Sequence, residues 1–160
     1  MVDQKFYRPG QISDRLADIS FSLPEIKREV RSVATGSGLW VDWPELELYQ
    51  DLDKEWRIFP FMAFGKMLPS NCEKCPVLWR FIKNIPGIQV AILSKLGPEM
   101  KLTPHQGWAK HSNQVIRCHY GFQVPKGCYL AVADRKDLKD QEVRYHHKDE
   151  WLCFDDSKWH

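Results

Sequence analysis

What this 160-residue chain lacks narrows its function before any motif is read. No apolar run approaches the ~18 residues of a membrane span, and the polar opening MVDQKFYRPG has no signal-peptide core. We therefore expect a cytoplasmic protein with no membrane span. Charge of one sign is also missing. Lys and Arg number 23 against 21 Asp and Glu, a net of +2, without the basic excess or tail that nucleic acid recruits. Nucleic acid is not an expected partner. A disulfide framework is missing too, because the five cysteines (Cys72, Cys75, Cys118, Cys128, Cys153) are odd in number and irregular in spacing. Cys72-Glu-Lys-Cys75 has no second pair to complete a zinc site, and Pro76 interrupts the helix that a redox CxxC would open. Ordinary thiols near a helix start are the expected reading.

What is present suits a globular fold: 43% hydrophobic and 28% charged residues, without internal repeats or an evident linker. In the first third, Ser22-Leu23-Pro24-Glu25 reads as a helix start with Ser22 as cap and Glu25 completing a capping box. Ile26, Val30 and Val33 then share one face, and the glycines from Gly36 end the helix. A second helix begins near Pro76, carries Leu78, Trp79 and Ile82, and stops at Asn84-Ile85-Pro86-Gly87. From Trp56 onward the pattern is mainly strand: Trp56 to Phe64, Ile88 to Leu96, Gln114 to Val124, Gly127 to Ala133, Glu142 to His146 and Trp151 to Phe154. Short strands punctuated by Gly, Pro and Asp point to a mainly β sandwich, jelly roll or small barrel with the early helices outside.

One strand is informative about chemistry. Alternation over residues 113–122 puts Ile116, Cys118, Tyr120 and Phe122 on one face and Val115, Arg117, His119 and Gly121 on the other. The second face sets a permanent cation and an imidazole about 7 Å apart beside a glycine that leaves room. Its bland reading is a solvated face with an incidental Arg and His. Upstream lies Pro104-His105-Gln106-Gly107, and the last run, from Cys153 to His160, ends in another histidine. Two histidines on different strands, with the Arg and His between, would suit ferrous iron and an anionic co-substrate. His111 and His146-His147 read as loop histidines, and Lys136 to Asp140 as a solvated turn.

The stretch from Trp56 to His160 resembles the aspartyl/asparaginyl β-hydroxylases, a family of iron(II)- and 2-oxoglutarate-dependent dioxygenases. The resemblance rests on Ser94-Lys95-Leu96-Gly97-Pro98, Pro104-His105-Gln106-Gly107, the N-x-x-x-R-x-H-x-G strand from Asn113 to Gly121 with Val124-Pro125, and Phe154-Asp155-Asp156-Ser157-Lys158-Trp159-His160, in that order. It implies a double-stranded β-helix, with His105 and His160 as metal ligands. It also implies that Trp56, Ser94, Arg117 and His119 bind or cover the 2-oxoglutarate. On this reading residues 1–160 form a single dioxygenase-like domain, 1–55 a helical and loop flank and 56–160 the β-helix core. The implied reaction turns 2-oxoglutarate and molecular oxygen into succinate and carbon dioxide while hydroxylating a C–H bond.

Two departures from the pattern stand out. The position two residues after the first histidine, often a carboxylate in non-haem iron sites, is Gly107, as in some protein-hydroxylating members; lipid-hydroxylating relatives carry Asp there. The family pattern also continues past the second histidine into a further strand bearing an Arg, whereas this sequence stops at His160, which is therefore expected to fray. An amino acid or a peptidyl Asp or Asn is the first-ranked substrate. The alternative is a non-catalytic β-helix protein that keeps a degenerate pocket for a ligand or partner.

Overall fold

The computed structural model describes residues 4–36, 40–49, 55–107 and 115–160. In chain order its elements are β1 (Phe6–Tyr7), α1 (Pro9–Ile12), a 3-10 helix (Asp14–Ser22), α2 (Leu23–Thr35), β2 (Val41–Asp42), a short 3-10 turn (Leu46–Leu48), β3 (Trp56–Ala63) and β4 (Lys66–Met67). Then come α3 (Pro69–Lys74), α4 (Pro76–Lys83), β5 (Val90–Leu96), β6 (Ile116–Tyr120), β7 (Tyr129–Val132), β8 (Glu142–Tyr145) and β9 (Trp151–Asp155). They group into two compact units, one of Arg15–Thr103 and one of Met1–Asp14 with Pro104–His160.

In the Arg15–Thr103 unit, β3 is central and pairs antiparallel with β2, β4 and β5. Its register with β5 slips between Pro60 and Met62, a bulge at Phe61, and Phe59 and Phe61 are both buried. The two helices read from the sequence form where expected. Ile26 and Val33 of α2 and Leu78 and Ile82 of α4 are buried, one apolar stripe each. The helix ends differ in detail: Ser22 makes no side-chain cap bond, and Gly36 stays extended rather than left-handed. Helix α4 is capped from outside its own sequence. Pro76 at its start has no N–H to satisfy, and the Glu29 carboxylate of α2 accepts the Val77 and Leu78 N–H groups, each at 2.9 Å. Cys72 and Cys75 are buried beside this junction, and burial pushes the Cys75 thiol up to about 12. They are ordinary interior thiols.

In the other unit β9 lies between β1 and β6, antiparallel to both, and β7 and β8 form a separate antiparallel pair. The six strands expected from the alternation all form, five of them shortened and the last, β9, one residue longer than expected. The mainly β composition does not hold. Helix and strand each take about 30% of the described residues, and all the named strand pairs are antiparallel. The surplus helix arises where Pro69 opens α3 and where Asp14–Ser22 coils as 3-10 helix, segments with no strong periodicity.

The cap bridging α2 and α4 generates a prediction. Glu29→Ala should lower unfolding free energy by about 1–2 kcal/mol, the range for a lost helix cap with a charged acceptor. Urea unfolding measures it, and unchanged stability would show that water replaces the carboxylate at no cost.

Candidate active site

The site is built on the β6·β9 pair. Arg117 stands opposite Phe154 and His119 opposite Leu152, so Arg117, His119, Phe154 and Asp156 project from the same face. That face is not a solvated one. Phe154 is fully buried, His119 meets its ring edge-on at 5.2 Å, and His119 stacks on His146 at 5.5 Å. His146, read from the sequence as a loop histidine, is thus half-buried against the site, while His147 is exposed. Burial holds both His119 and His146 below the usual imidazole range, with the Arg117 cation adding to the effect on His119.

Asp156 is the residue the sequence reading passed over. Its side chain is 4% exposed, and it accepts a hydrogen bond from Arg117 Nη2 at 2.9 Å. Arg117 Nε comes within 2.7 Å of the other carboxylate oxygen, Oδ1, but out of line with its N–H, leaving Oδ1 without an aligned donor. The signal was present in the alternation: Phe154 and Asp156 continue the face that Arg117 uses, and Asp156 lies one turn-residue beyond the strand. The same carboxylate explains Gly107. The Gly107 N–H donates to the Asp156 carbonyl at 2.8 Å, and a Cβ on residue 107 would overlap Asp156 Oδ2. The space a carboxylate at 107 would fill already holds the carboxylate of Asp156. Gly121 is required for a similar reason, because a Cβ there would run into the His147 carbonyl.

His105 and His160 come together from opposite ends of this unit. Each donates its backbone N–H to the other's carbonyl, at 2.9 and 2.8 Å, and their ring centroids are 4.4 Å apart. The expected fraying of His160 does not occur. Asp155 Oδ1 accepts from Ser157 N (2.9 Å) and Ser157 Oγ (2.6 Å), a local turn that reverses the chain after β9. Trp159 then exchanges two backbone bonds with Ala133, and His160 two with His105. The His160 ring, 5% exposed, contacts Phe154 at 4.9 Å, and its Nδ1 lies 2.9 Å from the Lys158 carbonyl. A carbonyl only accepts, so Nδ1 carries the hydrogen and Nε2 keeps its lone pair. Burial draws the His160 pKa down to about 4, opposed by the Lys158 carbonyl and assisted by His105.

These residues fit a divalent metal in kind. An imidazole that donates one nitrogen to a backbone carbonyl and leaves the other unprotonated is the usual state of a ligating histidine. Two imidazoles at right angles on one metal, at ~2 Å bonds, would have ring centroids about 4.5 Å apart, close to the separation here. Among the described residues no group of three or more His, Cys, Asp or Glu is arranged to hold a metal ion. His111, Trp108 and Asn113 lie outside the described residues. Trp56 and Ser94 belong to the Arg15–Thr103 unit and engage each other, Trp56 Nε1 donating to Ser94 Oγ at 2.9 Å. Trp56 is buried there, stacked on Trp43 at 4.6 Å, while Ser94 is exposed.

The burial of His160 generates a second prediction. With its pKa lower folded than unfolded, the unfolded chain binds the extra proton first as pH falls from about 6.5 to 4. Stability is therefore complete above the unfolded value and declines through that window, by up to about 3 kcal/mol from this group. Metal-free protein unfolded at pH 7, 6, 5 and 4 should show the decline, and His160→Gln should make it shallower, leaving the part that His119 and His146 contribute. Equal slopes in both would remove His160 as its source.

A family profile and several curated relatives match the chain. Residues 20–160 match the aspartyl/asparaginyl beta-hydroxylase profile. An ornithine lipid ester-linked acyl 2-hydroxylase from Rhizobium tropici is 28% identical over 90% of this chain and 50% of its own length. Aspartate beta-hydroxylase domain-containing protein 2 is 35% identical in Rattus norvegicus and 34% in Homo sapiens, over 66% of this chain and 30% and 28% of those proteins. The chain thus spans half or less of the length of these relatives. With a profile match that takes in the paired histidines, Arg117 and Asp156, the chain belongs to the aspartyl/asparaginyl β-hydroxylase family.

Proposed function

We propose that this chain is an iron(II)- and 2-oxoglutarate-dependent hydroxylase with His105 and His160 as its two protein ligands. The observation that carries the proposal is the backbone-locked pairing of these histidines, with His160 neutral and Nε2 free of its proton. Ferrous iron, when bound, supplies the activation of oxygen that is coupled to oxidative decarboxylation of 2-oxoglutarate. The chain's own share is orientation, charge matching and exclusion of water. Neutral imidazoles at His119, His146 and His160 add no positive charge, and Asp156 offsets Arg117. A dication and a dianionic keto acid would then enter a nearly neutral enclosure. The guanidinium has five N–H donors and spends only part of them on Asp156, so Arg117 retains capacity for a carboxylate of 2-oxoglutarate. His119 sits beside it on the same strand face. Trp56 and Ser94, hydrogen-bonded to each other within the Arg15–Thr103 unit, are proposed as 2-oxoglutarate residues on the family resemblance alone.

The double-stranded β-helix is part of the same proposal, supported by the antiparallel pairing and by β9 bridging β1 and β6. We rank an amino acid or peptidyl Asp or Asn first as substrate, because Gly107 follows the protein-hydroxylating pattern. A lipid acyl chain is the second reading, favoured by the lipid acyl 2-hydroxylase that matches over most of this chain. Cytoplasmic action is in keeping with five free cysteines, and no helix among the described residues is long and apolar enough to cross a membrane.

The test is release of succinate from 2-oxoglutarate in the presence of ferrous iron and oxygen. Turnover should require both additions and vanish in His105→Ala. Arg117→Ala should weaken 2-oxoglutarate binding by about 1.5–3 kcal/mol, and Arg117→Lys should recover part of it because the Asp156 charge stays compensated. A chain that binds neither iron nor 2-oxoglutarate would favour the non-catalytic alternative. Unchanged affinity in Arg117→Ala would remove that residue from the site.

A further inference from the structure

The reverse face of the β6·β9 pair carries a second arrangement that the hydroxylase reading does not use. Cys118 and Cys153 are direct partners in the register. Their position in the ladder follows from the hydrogen bonds at its two ends. Gly121 N donates to the Glu150 carbonyl at 3.1 Å and Asp156 N to the Val115 carbonyl at 3.4 Å, so the odd-numbered residues of β6 occupy the hydrogen-bonded sites. Asp155 accordingly turns its own N–H the other way, to Lys5 at 3.1 Å beside β1. Cys118 and Cys153 therefore form a non-hydrogen-bonded pair, the type whose Cα atoms approach to about 4.5 Å with side chains adjacent on one face. A disulfide spans Cα separations of roughly 4.4–6.8 Å, so this pair lies at the short, strained end of the range. Strained cross-links are the readily reducible ones.

The two thiols are free and stand opposite each other across the two strands. They are unequal: Cys153 is 1% exposed, while Cys118 is half-buried and reachable from solvent. Its exposure makes Cys118 the attacking sulfur, and the interaction between the two thiols lowers the Cys118 pKa while raising that of Cys153. The other interior thiols differ. Cys72 directs its sulfur to the Phe61 carbonyl at 3.7 Å, and burial raises both Cys72 and Cys75.

We propose that Cys118 and Cys153 are a reversible cross-strand thiol–disulfide couple, oxidised by hydrogen peroxide, behind the strand face that carries Arg117 and His119. The Cys118 thiolate attacks one peroxide oxygen; the O–O bond breaks, hydroxide leaves and takes a proton to become water, and Cys118 becomes a sulfenic acid. The Cys153 sulfur then attacks the Cys118 sulfur, the S–O bond breaks, and the departing oxygen takes the Cys153 proton to leave as water. Two thiols lose two electrons in all, and one peroxide is reduced to two waters. The cross-link would pin the register of the two strands that hold Arg117, His119 and Asp156. The proposal rests on the ladder alone and stands whether or not the chain hydroxylates anything.

The experiment treats the reduced full chain with hydrogen peroxide, blocks remaining thiols by alkylation, and maps the unreduced peptides by mass spectrometry. Free thiols should fall from five to three, with the Cys118 peptide joined to the Cys153 peptide, and dithiothreitol should restore all five. Cys153→Ser should leave a dimedone-reactive sulfenic acid at Cys118 and no link. Five thiols surviving peroxide that oxidises free glutathione, or a link that joins other cysteines, would overturn the proposal; the wild-type map decides this even if the variant does not fold.

Discussion

A buried carboxylate has to be compensated, and the compensation of Asp156 by Arg117 organises the unit around it. At 4% exposure the Asp156 charge would be costly alone, and removing one member of such a pair costs about 3–5 kcal/mol. The pair therefore fixes where the Arg117 guanidinium can reach. It also decides what residue 107 can be, since the carboxylate fills the volume that any side chain there would need. The Gly107 N–H then docks on the Asp156 carbonyl and brings the preceding His105 alongside the chain that leaves β9. One charged side chain thus sets the cation, the glycine and the approach of the first histidine.

The second constraint is the return of the chain after β9. The Asp155–Ser157 turn sends Trp159 to Ala133 and His160 to His105, four backbone hydrogen bonds that hold two residues on both sides. That rigidity matters more for His160 than burial alone. A histidine held only by its side chain could rotate away from a ligand, whereas here the backbone, the Lys158 carbonyl and the Phe154 ring each restrict it. Its neutrality comes first from burial, with the His105 and Arg117 charges acting in the same direction and the Lys158 carbonyl and Asp156 opposing it.

The sequence was most legible where period and partner agree. The strands from Trp56 onward could be read because their alternation is regular, and Arg117 and His119 fell on one face because a period of two leaves no choice. Asp156 was missed because an acidic residue next to Asp155 in a turn reads as solvated; only the approach of Arg117 from the neighbouring strand shows that it is buried. His146 was missed for the converse reason. Nothing in its own segment marks it as packed, and its burial depends on stacking against His119, a contact between distant residues. The expectation that His160 would fray came from reading the chain locally, when the bonds that hold it come from Ala133 and His105. The helical share was underestimated because Pro69 and the 3-10 segment give no periodic signal.

The central claim is that His105 and His160 share a ferrous iron that chelates 2-oxoglutarate. An anaerobic titration of the chain with ferrous iron and 2-oxoglutarate tests it directly, followed by the visible charge-transfer absorption of a keto-acid-chelated iron. The account predicts that the band grows to saturation only when both are present, and is lost in His105→Ala and in His160→Ala while the circular dichroism of the fold is kept. No band in the wild-type chain, or an undiminished band in either folded variant, would contradict it.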